Sequence, residues 1–104
     1  MDNQKLYLTL LLFIKEGEEA NFQAYEAQVL PLLSQYNGQL VYRVRPTADN
    51  FIQPAEELPY EIHLVSFDSR QDFDNYKQDE ERKKHAPLFQ QSIQKVLLIE
   101  GFAL

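Results

Sequence analysis

The chain opens with a strand-length apolar run over residues 6–14. Its even positions are Leu6, Leu8, Leu10, Leu12 and Ile14, and the apolar odd positions are Tyr7, Leu11 and Phe13. Successive side chains of a strand point to opposite faces, so a strand that is apolar at both sets of positions needs cover on two sides. The rest of the chain supplies helices for only one face. We therefore predict that a second copy of the molecule covers the other face.

A helix follows, because apolar residues recur at alternating steps of three and four. They are Phe22, Tyr25, Val29, Leu32 and Tyr36. Asn37 and Gly38 come next, where a left-handed helix cap prefers these residue types. Pro31 removes a backbone hydrogen bond inside this pattern. We therefore expect either a kink near residues 27–30 or two abutting helices.

Two further strands are predicted in the middle of the chain, over residues 39–45 and 60–67. In the first of these, Leu40, Tyr42 and Val44 alternate with Val41, Arg43 and Arg45. The loop between the strands, residues 46–58, is longer than an ordinary hairpin turn. It is interpreted either as a lid or as an arm that reaches a second subunit.

The last part of the chain predicts helices and a final strand. Ser69, with Asp72 three residues later, is a helix-start signal, and the inward residues of this helix are Phe73 and Tyr76. The charge run over residues 79–84 is typical of a solvated helix face. A short helical stretch begins at Pro87, and residues 96–99 form the fourth strand.

Composition and charge narrow the functional classes. A chain of 104 residues is one domain, residues 1–104, and its 44% hydrophobic and 25% charged residues are typical of a globular protein. The formal net charge of −6 disfavours a nucleic-acid partner, since such binding depends on basic residues that neutralise phosphates. The absence of cysteine excludes thiolate chemistry and disulfides.

The amino-terminal run has a second interpretation as a signal peptide. Asp2 is acidic, however, and residues 15–19 contain no small-residue cleavage site. The apolar run is also too short for a bilayer, which requires about 20 residues. We therefore expect a cytoplasmic protein with no membrane partner.

The predicted order of strand, helix, strand, strand, helix and strand is that of the ferredoxin-like fold, an α+β β-α-β-β-α-β subunit. We expect a four-stranded antiparallel sheet in which the first and third strands are neighbours. We expect two such subunits to dimerise through their sheet faces, because the first strand is apolar on both of its faces and the helices cover only one.

With this order of elements, the chain resembles the dimeric α+β barrel superfamily, in which two ferredoxin-like subunits pack their sheets together and carry their helices outside. The similar segments are Phe22-x-x-Tyr25, Pro31-Leu32-Leu33, Tyr36-Asn37-Gly38-Gln39, Ser66-Phe67-Asp68-Ser69, Phe73-x-x-Tyr76 and Leu98-Ile99-Glu100-Gly101. The resemblance is strongest to a family of short uncharacterised proteins within the superfamily.

More distantly, the chain resembles the antibiotic-biosynthesis monooxygenases, which oxidise aromatic polyketides without a cofactor, and related haem-degrading enzymes. Such enzymes typically use an Asn and a Trp. This chain has no tryptophan, and no Asn lies in a predicted strand or on an inward helix face. The resemblance therefore implies the fold more strongly than the activity.

One set of polar residues could carry chemistry. On the second and third strands, Arg43 shares a predicted face with Glu61 and His63. If Arg43 pairs opposite Glu61, His63 lies diagonally beside it, and Tyr7 and Thr9 of the first strand join the group. The set would combine a cation for a carboxylate or enolate, a base that titrates near neutrality and a phenol donor.

The predicted roles divide these residues into two sets. The catalytic candidates are His63 and Arg43, and the substrate-binding candidates are Tyr7, Glu61 and Arg45. The alternative is a cross-strand ion pair of Arg43 and Glu61, worth a few tenths of a kcal/mol, with His63 as a polar filler.

Other chemistry is not favoured by the sequence. The two histidines, His63 and His85, lie far apart with no metal-ligand spacing, and the three glycines lack a phosphate-loop pattern. We expect no metal and no cofactor. The first hypothesis is a homodimer that binds or transforms a small organic acid or aromatic molecule. The alternatives are a non-enzymatic regulatory or structural module and, more weakly, a cofactor-free monooxygenase.

Overall fold

The structure, a computed structural model, describes residues 4–53 and 57–104. Its elements follow the predicted order, with three short helices between the last two strands. They are β1 (Leu6–Ile14), α1 (Glu19–Val29), a 3-10 helix (Leu30–Tyr36), β2 (Gly38–Val44), a second 3-10 helix (Ala48–Asn50), β3 (Glu61–Phe67), α2 (Arg70–Lys77), α3 (Glu80–Lys84), α4 (Ala86–Ser92) and β4 (Ile93–Phe102).

The four strands form one antiparallel sheet in the order β2-β3-β1-β4. This is the ferredoxin-like arrangement, so the predicted fold class is confirmed, as is the pairing of the first and third strands. The predicted limits of the last strand were too narrow. Strand β4 already begins at Ile93 and continues through Gly101, because it pairs with nearly the whole of β1.

The helices cover one face of the sheet, and the core lies between the two layers. The even positions of β1 are in this core, as the alternation predicted, and meet the odd positions of β3. Its buried members from both layers include Leu6, Leu8, Phe22, Val29, Val65 and Phe67. Burial of this apolar surface is the main stabilising contribution to the fold.

The other face of the sheet has no helical cover within the described residues. Tyr42 on β2 and Ile99 on β4 lie on this open face, with 62% and 61% of their surfaces exposed. Leu97 is also exposed, whereas Phe13 is covered by Lys95, whose Nζ lies 4.5 Å from the ring centroid. A broad apolar surface therefore faces away from the helices.

Pro31 separates two abutting helices, which confirms one of the two expected arrangements. The α-helix ends at Val29, and Pro31 lies in the first turn of the 3-10 helix, where its missing N–H costs no hydrogen bond. Asn37 ends that helix in the left-handed conformation with φ of 56°, as predicted. Gly38 then begins β2 in close contact with Phe67.

A bulge between Leu40 and Tyr42 corrects the predicted faces of the second strand. Leu40 pairs with Val65 on the helix-covered face, whereas Tyr42 pairs with Leu64 on the open face. The prediction that Leu40 and Tyr42 share a face is therefore wrong. Strict alternation fails here because a bulge inserts one extra residue into a strand.

The loop at residues 46–58 includes a short 3-10 helix that Thr47 and Asn50 cap reciprocally. Residues 54–56 lie outside the described residues, so the lid and arm interpretations of this loop stay predictions. No helix in the described parts of the chain has both the length and the apolar composition needed to cross a membrane.

Candidate functional site

Three buried ionisable residues meet beneath the helices. Glu61 and His63 are alternate residues of β3, so both point to the helix-covered face of the sheet. Glu26, from α1, lies above them. Glu61 has only 1% of its surface exposed, and the other two are also buried. Buried ionisable side chains are rare unless they are paired, so these contacts need explanation.

The imidazole of His63 bridges the two carboxylates. Its Nε2 lies 2.9 Å from Oε1 of Glu61 and 3.1 Å from Oε2 of Glu26. When the ring is protonated, Nε2 donates toward both oxygens, which fixes the position of the imidazole.

Two arginines complete the group. Arg43 Nε donates to Glu61 Oε1 over 3.0 Å, and Arg43 Nη2 donates to Glu26 Oε1 over 2.8 Å. Arg45 Nη2 donates to Glu61 Oε2 over 2.5 Å, and its guanidinium carbon lies 4.3 Å from the ring centroid of Tyr60. The hydrogen bonds from the two arginines compensate the carboxylates for the water that they lose on burial.

The contacts change the proton affinities of the three buried groups in different ways. Burial by itself raises the pKa of Glu61, but hydrogen bonds from its neighbours, led by that of Arg43, outweigh burial and hold the pKa well below its usual range. Burial raises the pKa of Glu26. Burial lowers the pKa of His63, but hydrogen bonds to Glu26 and Glu61 outweigh it and raise the pKa above 6.5. Glu61 is therefore the fixed anion, whereas the folded structure strengthens the proton affinity of both Glu26 and His63.

A cavity of about 350 Å³ lies between the sheet and the helices, and Glu26 and His63 form part of its wall. The remaining wall is mostly apolar, with contributions from Leu10, Tyr25, Leu30, Phe89, Val96 and Leu98. Lys77 and Arg82 are its two basic lining residues. A more open groove of about 540 Å³, which Arg45 and Glu57 line, adjoins the loop that is described only in part. The cavity between the sheet and the helices is therefore the candidate site, because it is less open than the groove and has Glu26 and His63 in its wall.

The structure brings Arg43, Arg45, Glu61 and His63 together on one face, as the sequence predicted. Only His63 of this set lines the cavity. The predicted register needs correction, because Arg43 lies opposite His63 and reaches Glu61 diagonally. Without the bulge in β2, the pairing of Leu40 with Val65 would place Arg43 opposite Ile62 on the open face. The catalytic and binding roles of these residues stay predictions.

Tyr7 and Thr9 do not belong to this group, so that prediction is wrong. Tyr7 pairs with Ser66 and Thr9 pairs with Leu64, and both pairs lie on the open face of the sheet. The phase of β1 explains the result, because the core takes its even positions and the odd positions must point away.

Glu26 is the site residue that the sequence analysis missed. The sequence does carry a signal for it, because Glu26 is four residues after Phe22 and three before Val29, both of which are in the core. An acid on an apolar helix stripe predicts a buried carboxylate with a partner.

The same three residues could also hold a metal ion. Ligand atoms of Glu26, Glu61 and His63 all lie within 4.8 Å of one another, and two carboxylates with one imidazole suit several divalent cations. However, Arg43 and Arg45 already donate to the same carboxylates. A cation would have to displace these guanidinium groups, so the observed contacts favour a site without metal.

Comparison with known proteins confirms the fold. No family model matches the chain, and no curated protein does. A protein of unknown function from Rhodopseudomonas palustris is similar in structure, with a TM-score of 0.83 at 14% identity over 98% of this chain and 84% of that chain. A dimeric protein of unknown function with a ferredoxin-like fold from Bacteroides fragilis has a TM-score of 0.70 at 7% identity, over 99% of this chain and 100% of that chain.

A candidate antibiotic biosynthesis monooxygenase from Caulobacter crescentus has a TM-score of 0.77 at 9% identity, over 99% of this chain and 93% of that chain. Proteins of the DABB and NIPSNAP families also share the fold. At these identities the likeness concerns the fold alone. The ferredoxin-like resemblance that the sequence indicated is thereby confirmed.

Proposed function

We propose that this protein binds a small, mainly apolar organic molecule in the cavity between its sheet and its helices, and that His63 and Glu26 exchange a proton with it. The observation that carries this proposal is a buried acid–base pair, Glu26 and His63, in the wall of a partly open and mostly apolar cavity. Its volume of about 350 Å³ is at the lower end of the range of roughly 300–1,000 Å³ that is typical of small-molecule sites.

The electrostatics support proton exchange. Glu61 stays ionised and anchors His63, while Glu26 and His63 hold their protons to higher pH than they would in water. A titratable group with a shifted pKa in an enclosed site is the usual setting for general acid–base catalysis. Such catalysis requires no cofactor.

Arg43 has a positioning role in this proposal. The sequence predicts that Arg43 binds an acidic group of the substrate, but its guanidinium already binds Glu26 and Glu61. It therefore holds the two carboxylates in place around His63 and does not contact the cavity.

Ligand binding can be tested by calorimetry with toluene, phenol, phenylacetone and benzoate. We expect at least one of these molecules to bind the wild-type protein. The Leu30→Phe variant should lose binding because the larger ring fills the cavity. The matched control is Leu32→Phe, since Leu32 packs against the core without lining the cavity. Absence of binding at millimolar concentration, or equal binding by Leu30→Phe, would contradict the proposal.

Proton exchange can be tested with phenylacetone in D2O, by following the loss of its α-proton signals by NMR. We expect the wild-type protein to accelerate this exchange and His63→Gln to reduce it by about 10²–10⁴-fold, the usual contribution of a general base. Glu26→Gln should reduce the exchange as well. If the α-protons exchange no faster with the wild-type protein than in buffer alone, the proposed proton exchange is contradicted and only ligand binding remains.

We also propose that the protein is a homodimer formed through the open face of the sheet. Tyr42 and Ile99 on this face are more than half exposed, and the similar protein from Bacteroides fragilis is described as dimeric. A second copy would bury the apolar surface that the helices leave uncovered. The absence of cysteine is consistent with the cytoplasm as the proposed location.

One observation favours a non-enzymatic module instead. Gln23 links Arg43 and Glu61 through hydrogen bonds of 2.9 Å to each, so the polar atoms of the group largely satisfy one another. A network of this kind can serve packing specificity alone. The calorimetric test separates the two functions, because a purely structural network predicts no ligand.

Monooxygenase action is the weaker alternative. The Caulobacter structure supports it only through a shared fold. The chain has no tryptophan, and neither Asn nor Trp is among the described residues that line the cavity. Measurement of oxygen uptake with polyphenols would reveal such activity.

A further inference from the structure

Arg82 differs from the other arginines of this protein in its surroundings. Arg43, Arg45 and Arg70 each form an ion pair with a glutamate. Arg82 lies on α3, lines the cavity and has a buried Nε with no hydrogen-bond partner among the described residues. Among the described residues Arg82 forms no ion pair with a carboxylate, so its guanidinium brings a positive charge without a paired acid to the wall of a mostly apolar cavity.

Two polar neighbours, the Tyr76 hydroxyl and the Asp79 carboxylate, interact with the charge of Arg82, but neither forms an ion pair with it. Its guanidinium carbon lies 4.9 Å from the ring centroid of Tyr76. Burial raises the pKa of Tyr76 to about 12, so this phenol is neutral at physiological pH. The carboxylate of Asp79 is engaged elsewhere, since it accepts the backbone N–H of Arg82 over 2.8 Å and the hydroxyl of Tyr36 over 2.5 Å.

The other basic lining residue is less suited to bind an anion inside the cavity. Lys77 Nζ lies 3.4 Å from Asp74 Oδ1 and 4.5 Å from the ring centroid of Phe73. Its charge is therefore already shared with an acid at the surface. Arg82 remains the stronger candidate, because a guanidinium can form two parallel hydrogen bonds with a carboxylate.

We propose that Arg82 binds the carboxylate of the ligand, so that the cavity takes a small organic acid with an apolar or aromatic body. This inference rests on the proposed function of the cavity. Arg82 belongs to the helical layer and His63 to the sheet, and both line the same space. An acid anchored by Arg82 would pack its apolar part against the intervening wall, where His63 and Glu26 can reach it. The formal net charge of −6 repels an anionic ligand, so a basic residue inside the cavity is needed to bind one.

The test compares benzoate with benzamide, and phenylacetate with phenylacetamide, by calorimetry. Each amide has nearly the shape of its acid without the charge. We expect the wild-type protein to bind the acids at least tenfold more tightly than the amides. Arg82→Gln should remove this preference by weakening the acids at least tenfold while leaving the amides unchanged. The matched control is Lys84→Gln on the same helix, which lowers the net charge equally but does not line the cavity.

The outcomes separate the inference from the proposed function. If the amides or toluene bind as tightly as the acids, the cavity is a binding site but the role of Arg82 is overturned. If no compound binds at millimolar concentration, both fall. Arg82→Met provides a second measurement, because loss of an unsatisfied buried nitrogen should leave the melting temperature of the ligand-free protein unchanged or raised. A clearly lowered melting temperature would indicate a structural role and overturn the inference.

Discussion

At the scale of single residues, the buried ionic group combines a cost with a compensation. Glu61 and Glu26 lose water when they are buried, which is unfavourable for charged groups. Arg43 and Arg45 compensate by donating hydrogen bonds to both carboxylates. The net stabilisation by a buried ionic group is small. Removal of one member is nevertheless strongly destabilising, because it leaves the remaining charges buried and unpaired.

We predict that Glu61→Gln lowers the free energy of unfolding by about 3–5 kcal/mol, because the arginines lose their common anion. Urea denaturation followed by circular dichroism would measure this change. Glu100→Gln is the control, since the pair of Glu100 with Arg70 is exposed and should contribute less than about 1 kcal/mol. Similar values for the two variants would show that burial of Glu61 does not matter.

The stability of the protein should also depend on the protonation of His63. Folding raises the pKa of His63 above 6.5, so the protonated ring stabilises the folded state. This contribution is fully present below pH 6.5 and is lost as the pH rises through the higher pKa of the folded protein. Unfolding free energies measured from about pH 6 to pH 9 should therefore decline less in His63→Gln than in the wild type.

At the scale of secondary structure elements, Gly38 determines how closely β2 begins beside β3. A Cβ atom at this position would lie 2.7 Å from Cε1 of Phe67 and 2.9 Å from the carbonyl oxygen of Leu33. The second of these atoms belongs to the backbone and cannot move aside easily. The space next to Gly101, by contrast, is open.

We predict that Gly38→Ala destabilises the protein by about 1–3 kcal/mol through overpacking. Thermal or urea unfolding would measure the change, with Gly101→Ala as the matched control. The control should stay within about 0.5 kcal/mol of the wild type, as is usual for exposed positions. Equal stability of both variants would mean that the start of β2 adjusts without strain.

At the scale of the whole molecule, the uncovered sheet face predicts self-association. We expect the wild-type protein to sediment as a dimer at micromolar concentration. Ile99→Lys should shift it toward the monomer, because burial of an unpaired charge in an apolar interface is costly. Ile52→Lys is the control, since Ile52 is fully exposed outside the sheet. A wild-type monomer under these conditions would contradict the dimer.

Some features of the fold and of the candidate site follow from the sequence, and others depend on the tertiary structure. The sequence by itself determined the order of the elements and the two faces of β1, because these depend on local periods of two and 3.6 residues. Only the tertiary structure decided that Glu26 covers His63, that a bulge turns Leu40 into the core and that Arg82 lines the cavity. These features depend on how one layer packs against another, through contacts between residues far apart in the chain, and no local pattern specifies such contacts.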